Sequence, residues 1–136
     1  MRILVMAEGR IREAYFRDAC GDYAGRISRY LPLEVREVER LAPPPARHVV
    51  VAMDAGGREL DSAGFAKWLG GQMSSGRQGI AFLLGGADGI PARMLDAAHE
   101  KLSLSRLTMA HRLARVVLLE QIYRALTILR GEPYHR

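Results

Sequence analysis

Few side chains in this sequence stand where they could do chemistry, and no complete catalytic set is readable among them. A glycine-rich segment, Gly85-Gly86-Ala87-Asp88-Gly89, follows an apolar run. Glycine lets backbone come close to a ligand and leaves amides free to point at it. The segment lacks both the Gly-Lys-Ser/Thr of a phosphate loop and the Gly-x-Gly-x-x-Gly spacing of a dinucleotide site. It reads as a ligand loop or as a plain strand-to-helix turn. Asp54 ends another apolar run, a place that suits a functional carboxylate or a turn-forming aspartate. His48 opens that run and reads as a packed or edge histidine, while His99 and His111 fall near helix ends. There is one cysteine, Cys20, so no intramolecular disulfide can form, and no Cys/His cluster has metal spacing. The segment Tyr134-His135-Arg136 sets a ring, an imidazole and a guanidinium side by side. Such a trio can stack on a base, donate or move a proton, and hold a phosphate.

These groups need elements to hold them. Arg2–Ala7 and His48–Met53 read as buried strands, and Ile80–Leu84 as a third. Leu33–Val38 is a more polar strand, and Leu102–Leu107 a short last one. Tyr15, Ala19, Tyr23 and Ile27 recur at helical spacing within a predicted helix from Ile11 to Tyr30. A second helix, capped by Asp61 or Ser62, carries Phe65, Trp68 and Leu69 and ends or weakens at Gly70-Gly71. Pro91 suits the first position of a third helix, reaching about His99. A long fourth runs from about Arg112 to Leu129 and stops at Gly131. Strands alternating with helices, apolar on both faces, predict a parallel sheet covered on both sides. Ligands of such sheets sit at the carboxyl ends of the strands. The 136 residues suit a single domain, 1–136. The last helix is apolar around most of its circumference, more than one buried face requires, so a partner subunit is expected to cover it. Own-chain helices are the alternative cover.

Charge narrows the class. Residues 1–100 balance, with 13 Lys/Arg against 13 Asp/Glu, so the net +5 arises entirely within 101–136. All but Lys67 and Lys101 of the twenty basic residues are Arg, the side chain that forks onto phosphate and stacks on bases. A polyanionic partner suits this charge, and a solvated basic face with a compositional preference for Arg is the alternative. No apolar run approaches a membrane span, and the lone cysteine suits a reducing, cytoplasmic setting.

Two stretches go further. Phe82-Leu83-Leu84-Gly85-Gly86-Ala87-Asp88-Gly89 resembles the "LLIGGxxG" segment of the RlmH family. Those are bacterial 23S rRNA pseudouridine N3-methyltransferases of the knotted SPOUT class. Leu102-Ser103-Leu104-Ser105-Arg106-Leu107-Thr108-Met109-Ala110-His111 looks like its "xSLSxxTxxH" segment. Arg115 to Arg136 is similar, almost letter for letter, to "RVxLxEQxYRAxxIxxxxPYHR". Residues 80–136 carry the match, whereas 1–38 match in pattern only.

The resemblance implies an α/β, parallel-sheet, Rossmann-like SPOUT fold with a C-terminal trefoil knot, working as a homodimer. It implies S-adenosylmethionine in the knot loops, without a metal. The matching positions are Met53, Gly85, Leu104, Ser105, Arg106, Leu107, Thr108 and Met109, with most contacts through backbone. A side chain at Gly85 is expected to intrude on that ligand. The implied reaction methylates N3 of a pseudouridine in helix 69 of 23S rRNA, in the assembled ribosome. His135, Arg136 and Arg115 are the candidates for a base or for a cation that stabilises the developing anion. Tyr134 and Arg136 are candidates for RNA contact. The segment 134–136 follows Gly131 and is expected to add little to the core. The chain departs from the family between the second and third strands. There Glu39–Arg47, with three prolines, replaces a lysine-rich connection and a helix. That departure favours an alternative, a non-catalytic knotted RNA-binding protein of the same fold. A nucleotide-binding regulator that uses the glycine loop without RNA is a third reading.

Overall fold

A computed structural model describes residues 1–136. Five strands form one parallel sheet: β1 (Arg2–Glu8), β2 (Leu33–Val38), β3 (His48–Glu59), β4 (Gly79–Leu84) and β5 (Glu100–Ser103). Their order across the sheet is β2-β1-β4-β3-β5. Every residue of central β4 is buried, which is why Gly79–Leu84 reads as an unbroken apolar run. Its register fixes both neighbours: Phe82 pairs with Val5 of β1 and Val51 of β3.

Alternation along the strands divides the core. Ile3, Val5, Val49, Val51, Ile80 and Phe82 face one side, which is covered by α1 (Ala14–Ile27), α2 (Ser62–Met73) and α4 (His111–Leu129). Leu4, Met6, Ala52, Ala81 and Leu83 face the other, covered only by the six-residue α3 (Ala92–Ala97) and by Leu41 of the proline linker. The expected cover on both sides is therefore unequal. The cause is the short 39–47 connection, which holds no helix.

Several boundaries moved. α1 begins at Ala14, not Ile11, because Ile11 is buried and its amide is bound by the Glu37 carboxylate at 3.0 Å. α2 is capped by Asp61, which accepts from the Gly64 amide, and it runs through Gly70-Gly71 to Met73. Leu129 packs at Gly70, where a Cβ would lie 2.9 Å from its methyl. Close helix packing thus offsets the weak helix propensity of glycine. Pro91 is the N-cap of α3 rather than its first helical residue. β5 ends at Ser103, so 104–107 is loop, not strand. β3 continues past Met53 to Glu59, with its register to β5 shifting between Met53 and Arg58. Gly57 allows this, since a Cβ there would lie 2.7 Å from the Lys101 backbone. Asp54 accepts from the Gly56 amide at 3.0 Å, the turn role rather than a free carboxylate.

α4 lies between α1 and α2, so the chain's own helices cover much of its apolar girth. Leu118, Leu119 and Ile122 are fully buried, while Leu113 and Leu129 stay 41% and 44% exposed. A buried arginine fixes the start of α4. Arg115, 4% exposed, pairs with Glu37 at the end of β2 and donates to the Gly9 carbonyl at 3.0 Å. Burial pushes the Glu37 carboxyl up, but the Ile11 amide and Arg115 outweigh it and hold it below the usual range.

Two variants test this packing. Phe82, fully buried against Phe65 and Trp68, should cost about 3–5 kcal/mol when replaced by alanine, read as a urea midpoint shift. Arg115→Ala should lower stability by about 1.5–3 kcal/mol through loss of its charged hydrogen bonds. A stability unchanged in the second variant would remove Arg115 as the anchor of α4.

Candidate functional site

The middle of β3, where its register to β5 shifts, and the loops that leave β4 and β5 enclose a crevice of about 340 Å³. Met53, Asp54 and Ala55 form one wall. Leu84, Gly85, Ala87, Gly89 and Ile90 form the second, and Ser103, Leu104, Ser105, Leu107, Thr108 and Met109 the third. His111 and Ala114 of α4 close the side. Seven of the eight positions expected to hold a cofactor therefore meet in one place, although they come from one strand and two separate loops. Arg106 is the exception. Its side chain is 85% exposed and reaches toward Glu59 at 3.8 Å, so any contact it makes with a ligand in the crevice is through backbone.

The loops are built to present backbone. No residue from 104 to 109 takes part in a backbone–backbone hydrogen bond. Side chains hold this segment instead. The Ser105 hydroxyl accepts from the Leu107 amide at 2.9 Å, and Ser103 donates to the Ser105 carbonyl at 3.0 Å. The remaining amides and carbonyls are available to a ligand. The glycine loop is tightened by a bond from the Gly89 amide to the Gly86 carbonyl, with Gly89 at φ +74°. A Cβ on Gly85 would lie 2.5 Å from the Gly89 backbone. Glycine is required there first by the loop itself, which corrects the expectation that a side chain would merely intrude on a ligand.

One positioning residue went unrecognised in the sequence. Glu8, the last residue of β1, accepts from the Gly86 amide at 3.1 Å and from the Leu41 amide at 2.8 Å. One carboxylate thus ties the glycine loop to the linker on the second face of the sheet. Its only sequence signal is an acidic residue at the carboxyl end of a buried strand. A neighbouring hollow of about 330 Å³ shares Met53, Ser103 and Leu104 with the crevice, and there Ser62 donates to Gln121 at 2.7 Å. Its other polar side chains are also engaged, Arg58 with Glu100 and Asp61 with the Gly64 amide, so the crevice has the stronger claim to a ligand.

The remaining expected residues lie elsewhere. Arg115 does not line the crevice, and its guanidinium is committed to Glu37 and Gly9. The segment after α4 is folded, not free. Gly131, at φ +68°, ends the helix with paired bonds from the Glu132 amide to the Thr127 carbonyl and from the Gly131 amide to the Ile128 carbonyl. Tyr134 packs edge-on against Tyr123, with centroids 4.6 Å apart, under the Arg124 guanidinium. Its hydroxyl donates to Glu120 at 2.7 Å. Burial, then that hydrogen bond, push its phenol well above the usual range. The segment lies outside the core, as expected, but it is docked on α4, and the Tyr134 ring is engaged rather than open to a base. His135 and Arg136 remain outward, with His135 Nδ1 at 3.1 Å from Arg124 Nη1. Because arginine only donates, Nδ1 accepts and the ring's proton sits on Nε2. Along α4 these groups stand about 14 Å from the crevice of the same chain, counting from Ala114 to Tyr123.

Comparison with known proteins agrees with this geometry. A family model described as a predicted SPOUT methyltransferase matches residues 1–135. A protein of Gemmatimonas aurantiaca named ribosomal RNA large subunit methyltransferase H is 44% identical, with all of both chains covered. Its namesake in Sorangium cellulosum is 45% identical over 98% of this chain and 99% of its own. Among solved structures, a probable methylase family protein from Haemophilus influenzae Rd KW20 shares the fold, with a TM-score of 0.58. The sequences are 11% identical over 99% of this chain and 70% of that one. A strand order that brings one strand and two loops to one crevice, the terminal sequence motifs and these full-length matches converge: the chain belongs to the SPOUT methyltransferase family, among the ribosomal RNA large subunit methyltransferase H proteins.

Proposed function

We propose that this protein methylates N3 of a pseudouridine in helix 69 of 23S rRNA, in the assembled ribosome, with S-adenosylmethionine as donor. The observation that carries the reading is the crevice: aliphatic walls, unpaired backbone groups from 104–109, and a glycine loop where a Cβ has no room. Such a site suits an adenosine, gripped by backbone and flanked by Met53, Leu84 and Leu107. Held by Met53, Gly85 and the backbone of 104–109, the cofactor would supply an activated methyl group, whose transfer to N3 would displace the N3 proton to solvent and leave S-adenosylhomocysteine. The relatives' printed name supports rRNA as the substrate class. The trefoil knot belongs to the same proposal. It is supported by segment 104–110 leaving the sheet edge and by the return of α4 between α1 and α2.

The chain's own residues supply alignment and electrostatics. His135, with its proton on Nε2, is a donor in this arrangement rather than a base. We assign it to the developing anion on the pyrimidine ring, with Arg136 beside it for phosphate. Tyr134 anchors the pair through Tyr123 and Glu120, and Arg115 positions α4 from within. Within one chain His135 is too far from the crevice to act there, so the working unit is a homodimer with shared sites. Tyr15 and Leu107 remain 68% and 80% exposed, and with Leu113 they offer apolar surface for the second copy.

Three experiments test this. Purified protein with labelled cofactor and ribosomes lacking the modification should give 3-methylpseudouridine at one position, read by nucleoside mass spectrometry. His135→Ala should lower kcat by about 10²-fold with an unchanged melting temperature, as for loss of one donor to a developing anion. Tyr134→Phe should instead cost about 0.5–1.5 kcal/mol of stability, since it loses a buried hydrogen bond. Methylation at another atom, or none, would reject the substrate assignment.

Shared sites predict complementation. Thr108→Trp fills the crevice and His135→Ala removes the donor, so each homodimer is inactive. Mixed protomers should recover about a quarter of wild-type activity, because half the dimers carry one intact site of two. No recovery, or a monomer by light scattering, would reject the shared site.

A further inference from the structure

The thinly covered second face of the sheet carries a cleft that methyl transfer does not use. It measures about 580 Å³ and opens between the 43–47 linker and α3. Its floor is apolar, with Val50 of β3 and Leu83 of β4 beside Met94 of α3. Its rim is cationic. Arg47, Arg77 and Arg93 come from three different segments: the linker, the turn before β4, and α3. All three are exposed, and none pairs with a carboxylate. No aspartate or glutamate lines the cleft. Three uncompensated guanidinium groups around one hollow concentrate positive potential there.

Two local features point the same way. Arg47 is the only non-glycine residue with positive φ, at +65°. Glycine would fit that turn more easily, yet an arginine occupies it, its carbonyl held by the Gln78 amide at 3.0 Å. His99 accepts from the Val50 amide through Nδ1 at 2.9 Å, which leaves its Nε2–H as a free donor at the cleft. His48 offers no such group, since it accepts from Arg2 and donates to the Ala46 carbonyl.

We propose that this cleft is a second RNA-binding site. An unstacked base lies on its apolar floor, and the flanking phosphates lie on Arg47, Arg77 and Arg93. The inference rests on the rRNA-methyltransferase reading and adds a contact remote from the reacting nucleotide. A small anion would use one or two of the arginines and leave the apolar floor empty; an RNA strand uses both. The cleft opens on the second face of the sheet, from His48 and Val50 at the amino end of β3 to Leu83 of β4, while the crevice meets β3 at Met53–Ala55. His48 and Met53 are about 17 Å apart along β3, a span that a folded rRNA substrate bridges.

The test compares wild type with an R47Q/R77Q/R93Q triple variant and an R47K/R77K/R93K triple variant. Binding to 23S rRNA is measured over a salt series. Loss of three phosphate contacts should reduce the slope of log K against log salt by about 2 in the Gln variant. KM for ribosomes should rise about tenfold or more, with kcat and S-adenosylmethionine affinity unchanged. The Lys variant keeps the charge and should keep the slope. An unchanged slope and KM in the Gln variant, with wild type active, would overturn the proposal and leave the proposed function standing. Competition by millimolar inorganic phosphate without any slope change would assign the cleft to a small anion, and also overturn it. If the Gln variant loses melting temperature, the Lys variant decides: a native slope supports the contact, and a matching loss rejects it. A wild type that neither binds nor methylates rRNA would instead defeat the underlying reading, and this inference with it.

Discussion

β4 bonds to β1 on one edge and β3 on the other, and it is buried on both faces. A strand so placed has no solvent to satisfy its amides, so its register is set by its two neighbours. Every functional position follows from that constraint. Leu84 ends β4 level with Ala7 of β1 and Met53 of β3, which puts Glu8, Gly85 and Asp54 at one rim. β5 pairs outside β3 at Val51–Met53 and again at Arg58–Glu59, where Gly57 lets the backbones approach, and that brings the 103–109 loop to the same rim. A one-residue slip of β4 would turn Phe82 away from Phe65 and Trp68 and carry the glycine loop out of reach of Glu8.

The carboxylates inside this frame hold loops more than they do chemistry. Glu8 bridges the glycine loop and the proline linker, so the crevice and the second face share one attachment. Glu37 collects the Ile11 amide and the Arg115 guanidinium, joining the entry to α1 with the start of α4. Glu120 takes Arg124 and Tyr134 together and folds the last residues back onto α4. Glu8 and Glu37 gather donors from distant segments, whereas Glu120 gathers them from its own helix and the residues just after it. The chain thereby positions its loops while keeping backbone at the crevice free.

The two faces of the sheet differ in how they meet solvent. Three helices and a 19-residue core seal the first, while eight buried residues line the second, so only the second leaves room for an open basic cleft. The charge asymmetry of the sequence does not mark that cleft. Arg47, Arg77 and Arg93 all lie in the part of the chain whose charges balance, and their isolation from carboxylates exists only after folding.

Much of this was legible before folding was known. Buried strands announce themselves as runs because both faces are apolar, and His48–Met53 and Ile80–Leu84 were read that way. The glycine loop by itself suggested only a ligand loop or a turn; it was the family resemblance carried by residues 80–136 that implied which positions meet a cofactor. Seven of the eight expected crevice positions do converge there. Other features depend on partners far apart in the chain, and no local pattern encodes them. The ties from Glu8 to Gly86 and from Arg115 to Glu37 each span 78 positions. Tyr134 is engaged rather than open because α4 presents Tyr123 and Glu120 on the face where the chain turns back. The sequence therefore marked, through its strands and its family motifs, which loops could grip a ligand. Tertiary structure alone decided which charges were consumed in holding those loops and which stayed free, because pairing depends on distance in space and not along the chain.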